Sequence, residues 1–382
     1  MRTLLDAESG PWHPVARATF EATVDAGWAN PRARYAEGRR AAEILNLARE
    51  QVADVLGCRT DEVSFDSSGA AASRRAVAGL AIGRRRVSRS VATSSVEHSS
   101  ILQAAVGVIS AGGDSGATHL SIDVDADGLI DLTKLAFIAG AEPAFVAIQA
   151  ANQETGVIQD WQGISATLEP AGVPWFVDAT SVLAHGEPPQ KWSVLTADAP
   201  AWAGPSGVGI LAVRTGARWR NPDYPSDAFE LGRVPGMPSV PAIAAAGAAL
   251  VAMRDDRIER AKTLAGFSAH IRKVASEQIP HVQIHSTDVG CPHITSMSFL
   301  YVSGEALASQ LDVRGFAVAS GSACANELHT PSHVLAAMGH LTEGNLRITL
   351  PWNTTAEGVD AFLAQLPSAV HSVREQFGAV DL

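Results

Sequence analysis

Cysteine is scarce in this 382-residue chain. Cys58, Cys291 and Cys324 are too few for a disulfide framework, so a reducing cytoplasm is the expected setting. Long apolar runs are missing as well. "AIAAAGAALVAM" (242–253) falls short of the ~18 residues a membrane span needs and ends in charge, which excludes a membrane protein of that type. "MRTLLDAESG" lacks the apolar core of a signal peptide. Positive charge is in deficit: the net charge is −11, which argues against a nucleic-acid partner because phosphate binding needs a basic face. The one basic cluster, "GRRRVSR" (83–89), reads as a solvated turn. No internal repeat or low-complexity linker interrupts the chain. With 46% hydrophobic and 18% charged residues, it is expected to be a soluble cytoplasmic protein of two packed domains.

Helical spacing runs through "RRAAEILNLAREQVADVLG" (39–57), with Ile44, Leu45, Ala48, Val52 and Leu56 on one face and Gly57 as a stop. Short β-branched runs then alternate with helical stretches: "RSVATSS", "AFVAIQA", "PWFVDAT", "WSVLTAD" and "GVGILAVR". That alternation predicts an α/β fold with a mostly parallel sheet covered on both faces, and ligands then sit beyond the carboxyl ends of the strands. Those ends are polar here, carrying Glu97 and His98, then Asn152, Gln153 and Glu154, then Asp178 and Asp198. From about residue 255 a long amphipathic helix, two strand-like runs and two further helices predict a separate α+β unit.

The stretches "TSSVEHSSIL", "AANQETGVIQD", "FVDATS", "AGPSGVGILAVR", "SGSACAN", "PSHVLAAMG" and "LRITLPWNTT" stand in the order and spacing of one family. The chain resembles the NifS-like cysteine desulfurases of the class V aminotransferase group, over essentially its whole length. The resemblance implies a pyridoxal-phosphate-transferase fold of type I. A seven-stranded-type, mostly parallel sheet would fill a large domain at 13–254, and 255–382 with 1–12 would form the small α+β domain. It also implies a coenzyme held as a lysine Schiff base and sulfur passed from cysteine to a loop thiol. On this resemblance His98 stacks on the coenzyme ring, Asp178 pairs with the pyridinium, and Asn152 contacts the ring hydroxyl and substrate. Arg347 grips the substrate carboxylate and Cys324 accepts sulfur. Without the resemblance these residues read as caps, loop residues and a small core thiol.

The pattern breaks where the coenzyme should be anchored. "DAPAWAGP" places Ala201 at the lysine position, with Asp198 and Pro200 where the family has the serine and histidine that bond the phosphate. Ala71 stands at a threonine position, Met237 at the threonine that reaches across the dimer, and Ser181 at a glutamine. Four lost bonds to a charged group amount to about 6–12 kcal/mol, against about 8 kcal/mol for micromolar binding in total. Asp198 adds a negative charge near a dianion. The expectation is therefore that no pyridoxal phosphate is bound in the family's way.

Three functions follow from this reading. The first is a pseudoenzyme acting as a scaffold, homodimer or heterodimer partner of a paralogous desulfurase in sulfur transfer or a biosynthetic pathway. The second is altered chemistry with Cys324 as sulfur acceptor or nucleophile, His98 as its base, and a sulfur-acceptor protein as partner. The third is residual desulfurase or aminotransferase activity on free coenzyme. A metal site at Cys324, His329 and His333 is set aside, because Pro331 intervenes and no fourth ligand is evident.

Overall fold

The computed structural model describes residues 2–111, 116–224, 229–320, 331–376, 378 and 379. A short strand, β1 (Thr3–Leu4), leads into α1 (Pro14–Val24) and α2 (Ala36–Leu56). In α2 the predicted stripe turns inward at Leu45, Ala48, Val52 and Leu56, while Ile44 stays half-buried at its edge. Gly57 ends the helix at a φ of 60°, its N–H closing on the carbonyls of Ala53 and Asp54, a turn that favours glycine.

Seven strands then build the main sheet: β2 (Val63–Asp66), β3 (Val91–Ser94), β4 (His119–Ile122), β5 (Val146–Ala147), β6 (Trp175–Asp178), β7 (Val194–Asp198) and β8 (Gly209–Val213). Between them lie α3 (Gly69–Arg84), α4 (Ser99–Ala111), α5 (Leu132–Gly140) and α6 (Trp161–Ala171). In space the order is β2-β8-β7-β6-β5-β3-β4. Neighbours from β7 to β4 run parallel, and β8 runs against both β7 and β2. Every residue of β2, β3 and β6 is buried, the signature of a sheet covered on both faces.

One close approach sets up the candidate site. A Cβ at Gly209 would lie 2.2 Å from the carbonyl oxygen of Ser68, so only glycine lets β8 start against the entry to α3. Asp198 is the register partner of Gly209. The end of β7 is thereby delivered to the first turn of α3.

After α7 (Val240–Asp255) and α8 (Arg257–Gln278) come β9 (Val282–Ile284), β10 (Ile294–Phe299), α9 (Gly304–Val313), β11 (Phe316–Ala317) and β12 (Ala319–Ser320). The chain closes with α10 (His333–Met338), β13 (Asn345–Thr349) and α11 (Ala356–Gln376). An antiparallel sheet ordered β12-β13-β10-β9 carries its own core, in which Leu264, Phe299, Leu346 and Phe362 are buried. β1 pairs with β11, and Asp6 bridges to Thr349. This sewing of the amino-terminal segment onto β13 brings Asp6 and Glu8 beside Arg347. Among the described residues no helix is long and apolar enough to cross a membrane.

Candidate functional site

Of the polar residues predicted at the carboxyl ends of the strands, Asp198 meets the first turn of α3, while Glu97, His98, Asn152, Gln153 and Glu154 line one small cavity and Gln153 bonds Asp178. Ser68 caps that helix by accepting the Ala71 N–H at 3.1 Å. The Gly69 N–H, which would otherwise be open to an anion, donates to Asp198 Oδ1 at 3.0 Å. A Cβ at Gly69 would come within 2.7 Å of the Asp198 Cβ, so the carboxylate sits there because position 69 has no side chain. Sequence reasoning cast Asp198 only as a repelling neighbour of a phosphate. In the structure Asp198 goes further and occupies the donor. Burial pushes the Asp198 carboxyl above its ordinary range; the Gly69 amide opposes that, Asp178 and Glu8 add to it, and His98 relieves it.

Beyond Asp198 the chain makes one short turn, Ala199–Trp202, pinned by the fully buried Trp202, whose Nε1 donates to the Ala246 carbonyl at 3.0 Å. Pro200 and Ala201 lie half-buried on this turn and carry no side-chain donor or acceptor. The lysines of the chain are Lys134, Lys191, Lys262 and Lys273. They stand on α5, ahead of β7 and on α8, none of them at the carboxyl edge of the sheet.

Asp178 ends β6 and accepts from the Thr180 N–H and hydroxyl through Oδ1, and from Gln153 Nε2 at 3.3 Å through Oδ2. His98 Nδ1 accepts the Ser100 N–H at 3.2 Å and lies 2.7 Å from the Ser100 hydroxyl. A backbone amide pointing at Nδ1 requires that nitrogen to be unprotonated, so the neutral ring carries its proton on Nε2. Asn152 is buried and lines the cavity described below: Oδ1 accepts from Glu154 and Thr155, and Nδ2 donates one hydrogen to the Val96 carbonyl. Ser181 is buried nearby, its carbonyl within 3.5 Å of Cys291 Sγ.

Arg347 lies on β13, almost completely buried, and presents a two-pronged fork. Glu8 fills it, at 3.1 Å to Nη1 and 2.9 Å to Nη2, while Asp6 stands 3.9 Å from Nη2. Sequence reasoning assigned no role to Glu8. The signal was a carboxylate four residues past an apolar strand, which has no meaning until β1 is known to pair near β13. A cavity of about 30 Å³, room for one water, lies beside His98 and Arg347. Two buried acids border it. Burial pushes Glu97 up to about 8, and one of its oxygens has no hydrogen-bond partner. Burial likewise lifts Glu154 to about 7, against the pull of Ser332, Arg347 and Asn345.

The remaining predicted positions are more scattered. Met237 is half-exposed on the loop ahead of α7. His333 opens α10 with Nε2 at 2.9 Å from the Glu97 carbonyl. Cys324 and His329 lie outside the described residues. Among the described residues no cluster of three metal-ligating side chains exists.

The family model for aminotransferase class V matches residues 15–362. That span decides the family. The chain belongs to the class V aminotransferases, among their cysteine desulfurase-like members. The cysteine desulfurase IscS of Proteus mirabilis is 31% identical over 364 residues, covering 92% of this chain and 88% of that protein. The IscS protein of Methanosarcina thermophila is 28% identical over 372 residues, covering 94% and 90%. Among solved structures, a NifS-like protein superposes with a TM-score of 0.88 at 24% identity, covering 96% of this chain and 99% of that one. A NifS-like protein from Rickettsia africae gives 0.82 at 21%, covering 97% and 99%.

The class V family is pyridoxal-phosphate-dependent, so the pocket of this member can be tested against that coenzyme. The residues do not fit it as a Schiff base. No lysine stands at the carboxyl edge, and the amide that opens α3 already holds a carboxylate.

Proposed function

We propose that this class V aminotransferase relative works as a non-catalytic subunit, a cysteine desulfurase-like scaffold or heterodimer partner in sulfur transfer. It would bind no pyridoxal phosphate in the family's manner. The observation that carries this reading is the Asp198 carboxylate on the Gly69 amide at 3.0 Å. A phosphate dianion entering there has to displace a bonded carboxylate and then sit beside it. Ala201 removes the amine, and Glu8 on the Arg347 fork fills the second anion position.

A second reading, a desulfurase or aminotransferase that uses added coenzyme, is favoured by the relatives, which are named cysteine desulfurases and match along nine-tenths of the chain. It keeps Asp178 and His98 at the strand ends. A reading with Cys324 as sulfur acceptor rests on the sequence alone. One experiment separates the first two. The purified chain is incubated with pyridoxal phosphate, desalted, and assayed with cysteine, alone and mixed with an active desulfurase. The scaffold reading expects no retained visible coenzyme band, no sulfide from the chain alone, and a shifted mass or altered sulfide release in the mixture. A retained band with sulfide release would establish the second reading instead.

A further inference from the structure

The amino-terminal edge of the main sheet, opposite the site above, holds a cavity of about 530 Å³. Its walls are the start of β6 and β7, the end of α3, the end of α6 and the turn after β8. The cations on it are Arg84, Lys191, Arg214 and Arg218, and the acid lining it is Glu169. Lys191 pairs with Glu169 at 2.6 Å, and Arg214 pairs with Glu62 at 3.3 Å while lying flat over the Trp192 ring at 4.0 Å. That leaves Arg84 and Arg218 with no salt bridge among the described residues. Arg218 and Arg84 are close enough to repel: burial and then Arg218 hold the Arg84 guanidinium below its ordinary value, with Glu142 acting weakly the other way.

Arg84 is steered by a 3.4 Å bond from its Nη2 to the Gly172 carbonyl. Its Nε and the Trp192 Nε1 are buried out of reach of the cavity and have no partner among the described residues. The wall that carries Arg218 is built rather than loose. A Cβ at Gly83 would lie 1.9 Å from the Arg218 carbonyl oxygen, and one at Gly79 would lie 2.0 Å from Trp219 Nε1. The Arg220 N–H also donates to the Gly79 carbonyl at 3.0 Å. Two glycines one helical turn apart thus seat this turn on α3.

We infer that this cavity binds a phosphomonoester, with the phosphate held by Arg84 and Arg218. Two unpaired guanidinium groups match a dianion, and their forks suit phosphate oxygens. The volume exceeds that of a phosphate and falls in the range of small-molecule sites, with Leu168, Val173, Pro174 and Ala217 as apolar wall for an organic remainder.

Calorimetric titration of the full chain with inorganic phosphate, at constant ionic strength and with acetate as the comparison anion, tests this. Saturable phosphate binding is expected, weaker by roughly ten-fold or more in Arg84→Gln and in Arg218→Gln. Lys273→Gln, an exposed cation on α8 that does not line the cavity, is expected to leave it unchanged. Arg218 is exposed, so its variant keeps the fold intact. Absent saturation, affinity unaltered in Arg218→Gln, or acetate binding as tightly as phosphate would each overturn the assignment.

Discussion

The two edges of the main sheet treat anions in opposite ways. At the carboxyl edge each anion-binding device is matched by a carboxylate of the chain itself, Asp198 on the α3 amide and Glu8 on the Arg347 fork. At the amino edge, Arg84 and Arg218 are left without a salt bridge among the described residues. Both edges are built from the ends of the same strands, with β13 adding Arg347 at the carboxyl edge, so the difference lies in side-chain charge. Internal neutralisation is independent of concentration, whereas an unmatched cationic site waits for a solute.

Four substitutions sharpen this contrast, from the largest expected effect to the smallest. Glu97→Gln removes a buried acid from the carboxyl edge. Its folded pKa of about 8 stands above its ordinary 4.5, so the folded state holds the proton more tightly and native stability falls as pH rises through that interval. The variant lacks this loss. Its stability relative to the parent, from urea unfolding across pH, is expected to climb between pH 4.5 and about 8, by something on the order of several kcal/mol at the alkaline end. A flat difference would show that Glu97 titrates normally. Gly83→Ala drives a Cβ into the Arg218 carbonyl, an unyielding backbone atom, and is expected to cost about 3 kcal/mol and to abolish phosphate binding.

Glu8→Ala removes the two-pronged partner of the buried Arg347 guanidinium and is expected to cost about 2 kcal/mol, less than for a fully buried pair because the Glu8 side chain is 42% exposed and Asp6 and the Gln153 carbonyl remain. Added cysteine or acetate should recover part of that loss in a thermal melt. Asp198→Asn keeps the acceptor for Gly69 and removes the repulsion from Asp178 and Glu8. A gain of about 1 kcal/mol near neutral pH is expected, disappearing as pH falls below the ordinary aspartate value of 3.8. Loss of stability in this variant would mean that the charge itself holds the α3 terminus.

The fold was legible because its signals are local. Apolar runs ending in polar residues marked β3, β6 and β7, and the stripe ending at Gly57 marked α2. The loss of donors at Ala71, Pro200 and Ala201 was equally local. What the sequence hid are contacts across long separations. Gly69 with Asp198 spans 129 positions and Arg347 with Glu8 spans 339, and no periodicity reports either. Charge at Asp198 was readable, but its bond was not. The basic run 83–89 was read as a solvated turn, which holds for the exposed Arg85 and Arg86 but not for Arg84, whose half-buried side chain lines the amino-edge cavity.

The most direct test of the self-filled pocket is titration of pyridoxal phosphate into the Arg84→Gln variant, where the amino-edge cavity is disabled, followed by phosphorus NMR and visible absorbance. The account predicts a phosphorus resonance identical to that of free coenzyme and no new absorbance band. A saturating, broadened resonance abolished by crowding the α3 entry with Gly69→Ala would contradict it.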